Sequence, residues 1–125
     1  MLSAAPVSPT IPVVDMERAR AFYTDKLGLT MTETDATGGV MLQAGEGTKI
    51  YLYKRESSKA DHTLAGFLVA DIEEEVADLV AKGVEFMEYD QEPIRTENFI
   101  ATIDGQKAAW FKDSEGNILG LTQRG

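Results

Sequence analysis

Residues 13–29, VVDMERARAFYTDKLGL, contain the signals that decide the fold of this chain. Their hydrophobic period predicts an amphipathic helix over Asp15–Lys26. Asp15 is a favourable N-cap residue, and Gly28 follows the predicted end of the helix. Four apolar side chains share the buried face: Met16, Ala19, Phe22 and Tyr23.

The same signals recur in the second half of the chain. Residues 71–82, DIEEEVADLVAK, predict a second amphipathic helix, with Asp71 as its N-cap and Gly83 after its end. Three matching segments define an internal repeat: 13–16 with 69–72, 27–33 with 82–88, and 45–47 with 114–116. The repeat predicts two similar structural halves.

Short alternating or β-branched runs predict the strands around these helices. They are Thr10–Val14, Leu29–Glu33, Gly39–Leu42, Lys49–Tyr53, Ala65–Val69, Val84–Tyr89, Phe99–Ile103, Lys107–Phe111 and Asn117–Thr122. Asp104-Gly105 predicts a tight hairpin turn, and Asp90–Asn98 is an extra loop of the second half only.

We therefore expect an α+β fold of tandem βαβββ modules within a single domain, residues 1–125. The modules span residues 8–54 and 63–123, and the polar stretch 55–62 links them. Each module curls a mixed sheet over one helix, and the concave face of the sheet lines a cavity that a ligand could enter.

Composition excludes several classes of protein. The 125 residues suit one domain, and the absence of cysteine excludes disulfides and thiolate metal sites. A net charge of −9 disfavours nucleic acid and anionic membranes as partners; it either favours cationic ligands or only keeps the protein soluble. No apolar run is long enough to span a bilayer and the first ten residues do not resemble a secretory signal, so we expect a cytoplasmic protein.

The segment Val13–Leu29, with its Val-x-Asp-Met and Phe-Tyr-x-x-x-Leu-Gly-Leu elements, resembles the vicinal oxygen chelate superfamily. So does Trp110–Leu119, WFKDSEGNIL. This superfamily contains glyoxalase I, extradiol dioxygenases, and fosfomycin and bleomycin resistance proteins. The resemblance covers about residues 8–123; it implies the paired βαβββ fold and often a homodimer, but no single reaction.

In enzymes of this superfamily, His, Glu or Gln side chains from the first and last strands of each module hold one divalent metal ion. The matching positions here are Ser8, Tyr51, Leu64 and Gly120. None of these four is a usual ligand for zinc, nickel, manganese or ferrous ions. Within two residues of them, His62 is the only usual ligand. We therefore expect no metal site and no cofactor.

Strand alternation divides the side chains between the two faces of each sheet. Ile11, Ile50, Leu52, Phe67, Leu119 and Leu121 are expected to pack against the helices. An aromatic and apolar wall is expected to line the cavity and bind a ligand: Met41, Tyr51, Tyr53, Leu64, Trp110 and Gly120. The alternative is that these side chains merely fill the concavity.

Other polar residues have two interpretations each. His62, beside Asp61, is a general base or an ordinary exposed histidine. Glu33 and Glu88, equivalent in the repeat, attract a cationic ligand or are solvated charges at strand ends. Arg95 meets an anionic group from the loop that covers the site, or belongs to a plain surface loop.

Three functional hypotheses follow. The first is a metal-free protein, like the bleomycin resistance branch, that binds a small organic molecule, aromatic or cationic, in an aromatic cavity. The second is a lyase, isomerase or dioxygenase of the same superfamily, either metal-independent, with Tyr51, Tyr53 or His62 as acid or base, or with displaced metal ligands. The third is a non-catalytic partner subunit. A homodimer is expected from the resemblance.

Overall fold

A computed structural model describes residues 1–57 and 60–124. Contacts between Cα atoms divide the chain into two compact units, residues 1–58 and 59–125. The division falls inside the predicted linker 55–62, of which Ser58 and Lys59 lie outside the described residues.

The first unit is a four-stranded mixed sheet with one helix. Its elements are β1 Thr10–Val13, α1 Met16–Ala21, β2 Thr30–Thr34, β3 Val40–Gln43 and β4 Lys49–Lys54. The strand order is β1-β4-β3-β2, with β1 parallel to β4 and the other pairs antiparallel. This is one βαβββ module, as predicted.

The first helix begins where the sequence predicts, but it changes form midway. The side chain of Asp15 accepts a hydrogen bond from the backbone N–H of Arg18 at 3.1 Å, which satisfies a donor of the first turn. After Ala21 the chain continues as a π-helix, Phe22–Lys26. Gly28 then turns the chain with a φ of +77°, a conformation that glycine adopts without strain.

The second unit contains a larger sheet and the longer helix. Its elements are β5 Thr63–Val69, α2 Ile72–Ala81, β6 Glu85–Phe86, β7 Thr96–Glu97, β8 Ile100–Ile103, β9 Gln106–Lys112 and β10 Ile118–Gln123. The strand order is β5-β10-β9-β8-β7, with β5 parallel to β10, and β6 pairs with β9 beside β8. The predicted α+β fold of repeated βαβββ modules is confirmed.

The second unit departs from the repeat at one edge of its sheet. The strand predicted over Val84–Tyr89 pairs regularly only at Glu85–Phe86, because β6 and β8 share the same edge of β9. The predicted loop Asp90–Asn98 contains a short strand, β7, that the sequence pattern did not indicate. The predicted Asp104-Gly105 turn does connect β8 and β9, with φ angles of +50° and +79°.

Each sheet packs one face against its helix. Ile11, Ile50, Leu52, Leu119 and Leu121 are buried, as predicted, whereas Phe67 is half-buried because β5 is an edge strand. Tyr23 on the first helix and Phe111 on β9 are fully buried. Among residues 1–57 and 60–124, no helix is long and apolar enough to cross a membrane.

Candidate functional site

In the first unit, a row of paired residues crosses the sheet on the face opposite the core. Thr10 on β1 pairs with Tyr51 on β4, which pairs with Met41 on β3. Directly paired residues point to the same side of a sheet, so these side chains are neighbours. Tyr51, Tyr53 and Met41 are half-buried, whereas Ile50 and Leu52 between them are buried, which is the alternation expected of β4.

The phenol of Tyr51 reaches across the sheet to the carboxylate of Asp35. Its hydroxyl donates a hydrogen bond to Asp35 Oδ2 at 2.5 Å. Thr37 donates to Asp35 Oδ1 through its hydroxyl at 2.6 Å and through its backbone N–H at 3.0 Å. The backbone N–H of Gly39 donates to the same oxygen at 2.9 Å. The turn over residues 35–39, which holds the Asp35 carboxylate in place, therefore fixes the orientation of the Tyr51 ring.

These hydrogen bonds favour the charged form of Asp35. The Thr37 and Tyr51 hydroxyls, together with the backbone N–H groups of Gly39 and Thr37, lower the pKa of the Asp35 carboxyl from its ordinary 3.8 to about 2. Because the pKa is lowered by folding, the stability that this carboxylate contributes is present above about pH 4 and is lost as the pH falls towards 2.

Gly39 has no side chain, and the Tyr51 ring occupies the space where one would lie. A Cβ atom at this position would lie 2.0 Å from Tyr51 Oη. We predict that Gly39→Ala rotates the ring away, breaks its bond to Asp35 and raises the pKa of Asp35 towards 3.8, while the Thr37 bonds keep part of the shift. A pH titration of the Asp35 carboxyl carbon by NMR measures this change.

Tyr51→Phe is the matched control, because it removes the hydroxyl and leaves the backbone of Gly39 unchanged. Both variants should raise the pKa of Asp35 by similar amounts. If the pKa of Asp35 were the same in both variants as in the wild type, the hydrogen bond between Tyr51 and Asp35 would be contradicted.

In the second unit, the equivalent row contains two glycines and a tryptophan. Gly66 on β5 pairs with Gly120 on β10, which pairs with Trp110 on β9. A Cβ atom on Gly66 would have only the carbonyl oxygen of Gly120 nearby, at 3.8 Å. A Cβ atom on Gly120 would make ordinary contacts with Thr63 and with the edge of Trp110, at 3.5 to 3.7 Å. Gly66 is therefore exposed beside the indole, whereas Gly120 is buried beneath Thr63 and the edge of Trp110.

A second aromatic ring orients Trp110. The rings of Tyr89 and Trp110 meet edge to face, with centroids 5.4 Å apart and planes at 86°. The backbone N–H of Met87 donates to the carbonyl of Trp110 at 2.8 Å, which continues the β6–β9 pairing towards Tyr89. Trp110 is half-buried, so part of the indole faces solvent.

The turn between β9 and β10 positions both Trp110 and Gly120. Asp113, which is 6% exposed, accepts hydrogen bonds at Oδ1 from the backbone N–H groups of Glu115 and Asn117, at 2.8 and 2.9 Å. Its Oδ2 accepts from the Asn117 side-chain amide at 2.9 Å. Gly116 completes the turn with a φ of +83°. Residues 113–117, DSEGN, thus form a structural turn that holds the β9–β10 hairpin together.

The positions that hold the metal ion in enzymes of the superfamily lack suitable donors here. Leu64, half-buried at an irregularity of the β5–β10 pairing, and buried Gly120 have no ligating side chain. Ser8 is exposed and precedes β1, and the Tyr51 hydroxyl is bonded to Asp35. The residues present do not fit a divalent metal ion. In the described part of the chain, no three His, Cys, Asp or Glu side chains form a metal-binding group.

The remaining predicted residues have different surroundings. His62 is exposed and precedes β5; its role as a base stays a prediction. Glu33 is exposed on β2 and pairs with Met41, whereas Glu88 lines a cavity of the second unit together with Tyr89 and Phe99. The Arg95 guanidinium forms ion pairs with Asp90 and Glu92 of its own loop, so it is already neutralised locally.

Sequence reasoning missed three residues that shape these surfaces: Asp35, Gly66 and Tyr89. The Asp-x-Thr-Gly pattern of residues 35–38 is a signal for a side-chain-stabilised turn and could have indicated Asp35. Alternation along Val84–Tyr89 could have placed Tyr89 opposite buried Phe86. No local signal indicated Gly66, whose importance depends on its pairing with Gly120.

Sequence comparison gives the same classification as the fold. Residues 6–121 match the family model of the Glyoxalase/Bleomycin resistance protein/Dioxygenase superfamily. The chain therefore belongs to this superfamily, as its residue patterns predict. No curated protein matches the sequence.

Solved structures of this superfamily resemble the chain over nearly its whole length. A superfamily member from Sphaerobacter thermophilus is 24% identical, with a TM-score of 0.75 and coverage of 99% of this chain and 100% of that one. Lactoylglutathione lyase from Agrobacterium tumefaciens is 20% identical (TM-score 0.70; 96% and 93% covered). The fosfomycin resistance protein FosX from Listeria monocytogenes is 14% identical (TM-score 0.72; 98% and 94% covered). At these identities the likeness concerns the fold alone.

Proposed function

We propose that this chain binds a small organic molecule on the face of the second unit's sheet that presents Trp110, without a catalytic metal ion. The observation that supports this proposal is the row Gly66–Gly120–Trp110. Glycine in a strand interior costs stability and often marks a place where a ligand approaches the backbone closely. Exposed Gly66, buried Gly120 and the half-exposed indole next to them form a flat shelf with an aromatic boundary, the glycine shelf.

This shelf suits a planar or apolar ligand. The ligand would lie against the exposed backbone of Gly66 on β5 and touch the indole with its edge or face. The Tyr89 ring restricts the motion of the indole, so little entropy is lost when the ligand binds. Tyr51, Tyr53 and Met41 supply a second aromatic and apolar surface in the first unit.

Gly66→Ala separates binding from folding. The added methyl group has open space, so this change should leave stability unchanged or raise it by up to about 1 kcal/mol. The same methyl group would occupy space that the ligand needs above Gly66, and it would therefore weaken the binding of benzyl alcohol, a neutral aromatic probe. Amide shifts of residues 66 and 120 in NMR titrations measure binding, and urea unfolding measures stability.

Trp110→Ala should weaken the binding of the same probe by about five- to tenfold, because an aromatic contact of this kind contributes about 1 to 1.4 kcal/mol. Met31→Ala is the control, since Met31 is an exposed apolar residue of β2. Equal binding by wild type, Gly66→Ala and Trp110→Ala would overturn the proposed site.

The metal-independent part of the proposal has its own test. The protein is incubated with Zn²⁺, Ni²⁺, Mn²⁺ or Fe²⁺, desalted and analysed by elemental mass spectrometry. We expect far less than one metal ion per chain, and unchanged probe binding after treatment with a chelator. One tightly held ion per chain would contradict the proposal and favour an enzyme with displaced ligands.

A further inference from the structure

A cavity of about 470 Å³ lies in the second unit, in the segment that interrupts the repeat. Its lining residues are Glu88, Tyr89, Asp90, Thr96, Asn98 and Phe99. It lies next to the proposed shelf, because Tyr89 forms its wall and also contacts Trp110. Its volume is within the range of small-molecule sites.

Backbone hydrogen bonds and a contact between two aromatic rings hold the walls of this cavity in place. The backbone N–H of Tyr89 donates to the Thr96 hydroxyl at 2.9 Å, and the backbone N–H of Thr96 donates to the Tyr89 carbonyl at 2.9 Å. The Phe99 ring packs on Phe86, with centroids 5.8 Å apart. Both aromatic walls are therefore positioned before a ligand arrives.

The turn between β7 and β8 departs from the usual chemistry of such turns. Asn98 and Phe99 occupy its two central positions with φ angles of +51° and +70°. The second of these positions normally requires glycine, and the next hairpin of this sheet has Asp104-Gly105 with similar positive φ angles. Phenylalanine in a left-handed conformation is strained, yet it supplies an aromatic wall that glycine could not.

The charge of the cavity is negative. Residues 88–99 contain four carboxylates and one guanidinium, and two of the carboxylates, Glu88 and Asp90, line the cavity. Arg95 is not among the lining residues, and it is paired with Asp90 and Glu92. An anionic ligand would therefore be repelled. A metal ion is disfavoured, because no group of three ligating side chains occurs in residues 1–57 or 60–124.

We propose that this cavity binds a small organic cation, an ammonium group on an apolar body, between the Glu88 carboxylate and the Tyr89 and Phe99 rings. Aromatic faces attract such cations, and a carboxylate adds direct charge complementarity. This proposal rests on the proposed function and names a ligand class for it. The apolar part of the ligand would extend towards Trp110 and the glycine shelf.

Three probes with the same ring but different charge test the proposal: benzyltrimethylammonium, benzyl alcohol and benzoate. Amide shifts of Thr96, Asn98 and Phe99 report the cavity, and the indole N–H of Trp110, the single tryptophan, reports the adjacent shelf. We expect the cation to bind about three- to fivefold more tightly than the alcohol and benzoate to bind most weakly. Glu88→Gln should remove the preference for the cation.

Glu97→Gln is the matched control, because Glu97 is an exposed carboxylate of the same segment that does not line the cavity. Asp90 is left unchanged, since its loss would release Arg95. Equal affinity for the three probes, or an equal loss of preference in Glu88→Gln and Glu97→Gln, would overturn the cation site. The proposed function would still stand if benzyl alcohol binding remained sensitive to Trp110→Ala. No binding of any probe would overturn both proposals.

Discussion

Phe111→Ala is expected to lower the free energy of unfolding by about 3 to 5 kcal/mol, the largest effect predicted for this chain. Phe111 is fully buried on β9, and its ring packs 5.4 Å from the ring of Phe86. The helix α2 packs against β9 and β10, so a cavity left by the ring would be surrounded by regular structure that cannot collapse easily. Urea unfolding followed by circular dichroism measures the loss.

Two variants make this prediction specific. Phe111→Leu keeps most of the apolar volume and should lose much less stability. Trp110→Ala, one residue earlier, changes the opposite and half-exposed face of β9, so it should affect binding more than stability. A loss below about 1 kcal/mol for Phe111→Ala would show that this face of the sheet is not the core.

Asp113→Ala is expected to destabilise the protein by about 2 to 4 kcal/mol. The carboxylate accepts hydrogen bonds from the backbone N–H groups of Glu115 and Asn117 and from the Asn117 side chain. Because Asp113 and Asn117 are both buried, the alanine variant would leave donors that water reaches poorly. Thermal unfolding by calorimetry measures the change in stability.

The same variant should also weaken probe binding. The turn closes the β9–β10 hairpin, in which Trp110 is paired with Gly120. Ser114→Ala is the control, since its hydroxyl donates to the neighbouring Glu115 side chain and its loss should change stability by less than about 0.5 kcal/mol. Equal stability of the two variants would show that the Asp113 hydrogen bonds are dispensable.

Family membership establishes the fold of this chain but not its reaction, because one fold supports many kinds of site. The Asp15 and Asp71 helix caps and the Asp113 turn stabilise the modules of this chain through side-chain to backbone hydrogen bonds. The positions that the resemblance assigns to metal ligands take part in none of these turn or cap hydrogen bonds of the described residues. A leucine and a glycine at Leu64 and Gly120 are therefore compatible with the fold.

Features that depend on nearby residues were determined by the sequence alone. Asp15 and Asp71 cap helices because each side chain reaches a backbone N–H three residues later. Asp104-Gly105 forms its turn because both residues accept a positive φ. The alternation of Ile50, Tyr51, Leu52 and Tyr53 predicts which side chains are buried, since it depends only on the strand period.

Tertiary structure decided the surfaces that could bind a ligand. Asp35 meets Tyr51 across 16 residues of chain, and Tyr89 meets Trp110 from a different strand. Gly66 lies beside Gly120 only because β5 pairs in parallel with β10. Phe99 has a positive φ at a turn position that the local sequence preference gives to glycine. Strand register and packing between distant segments set these contacts, and no local sequence pattern specifies either of them.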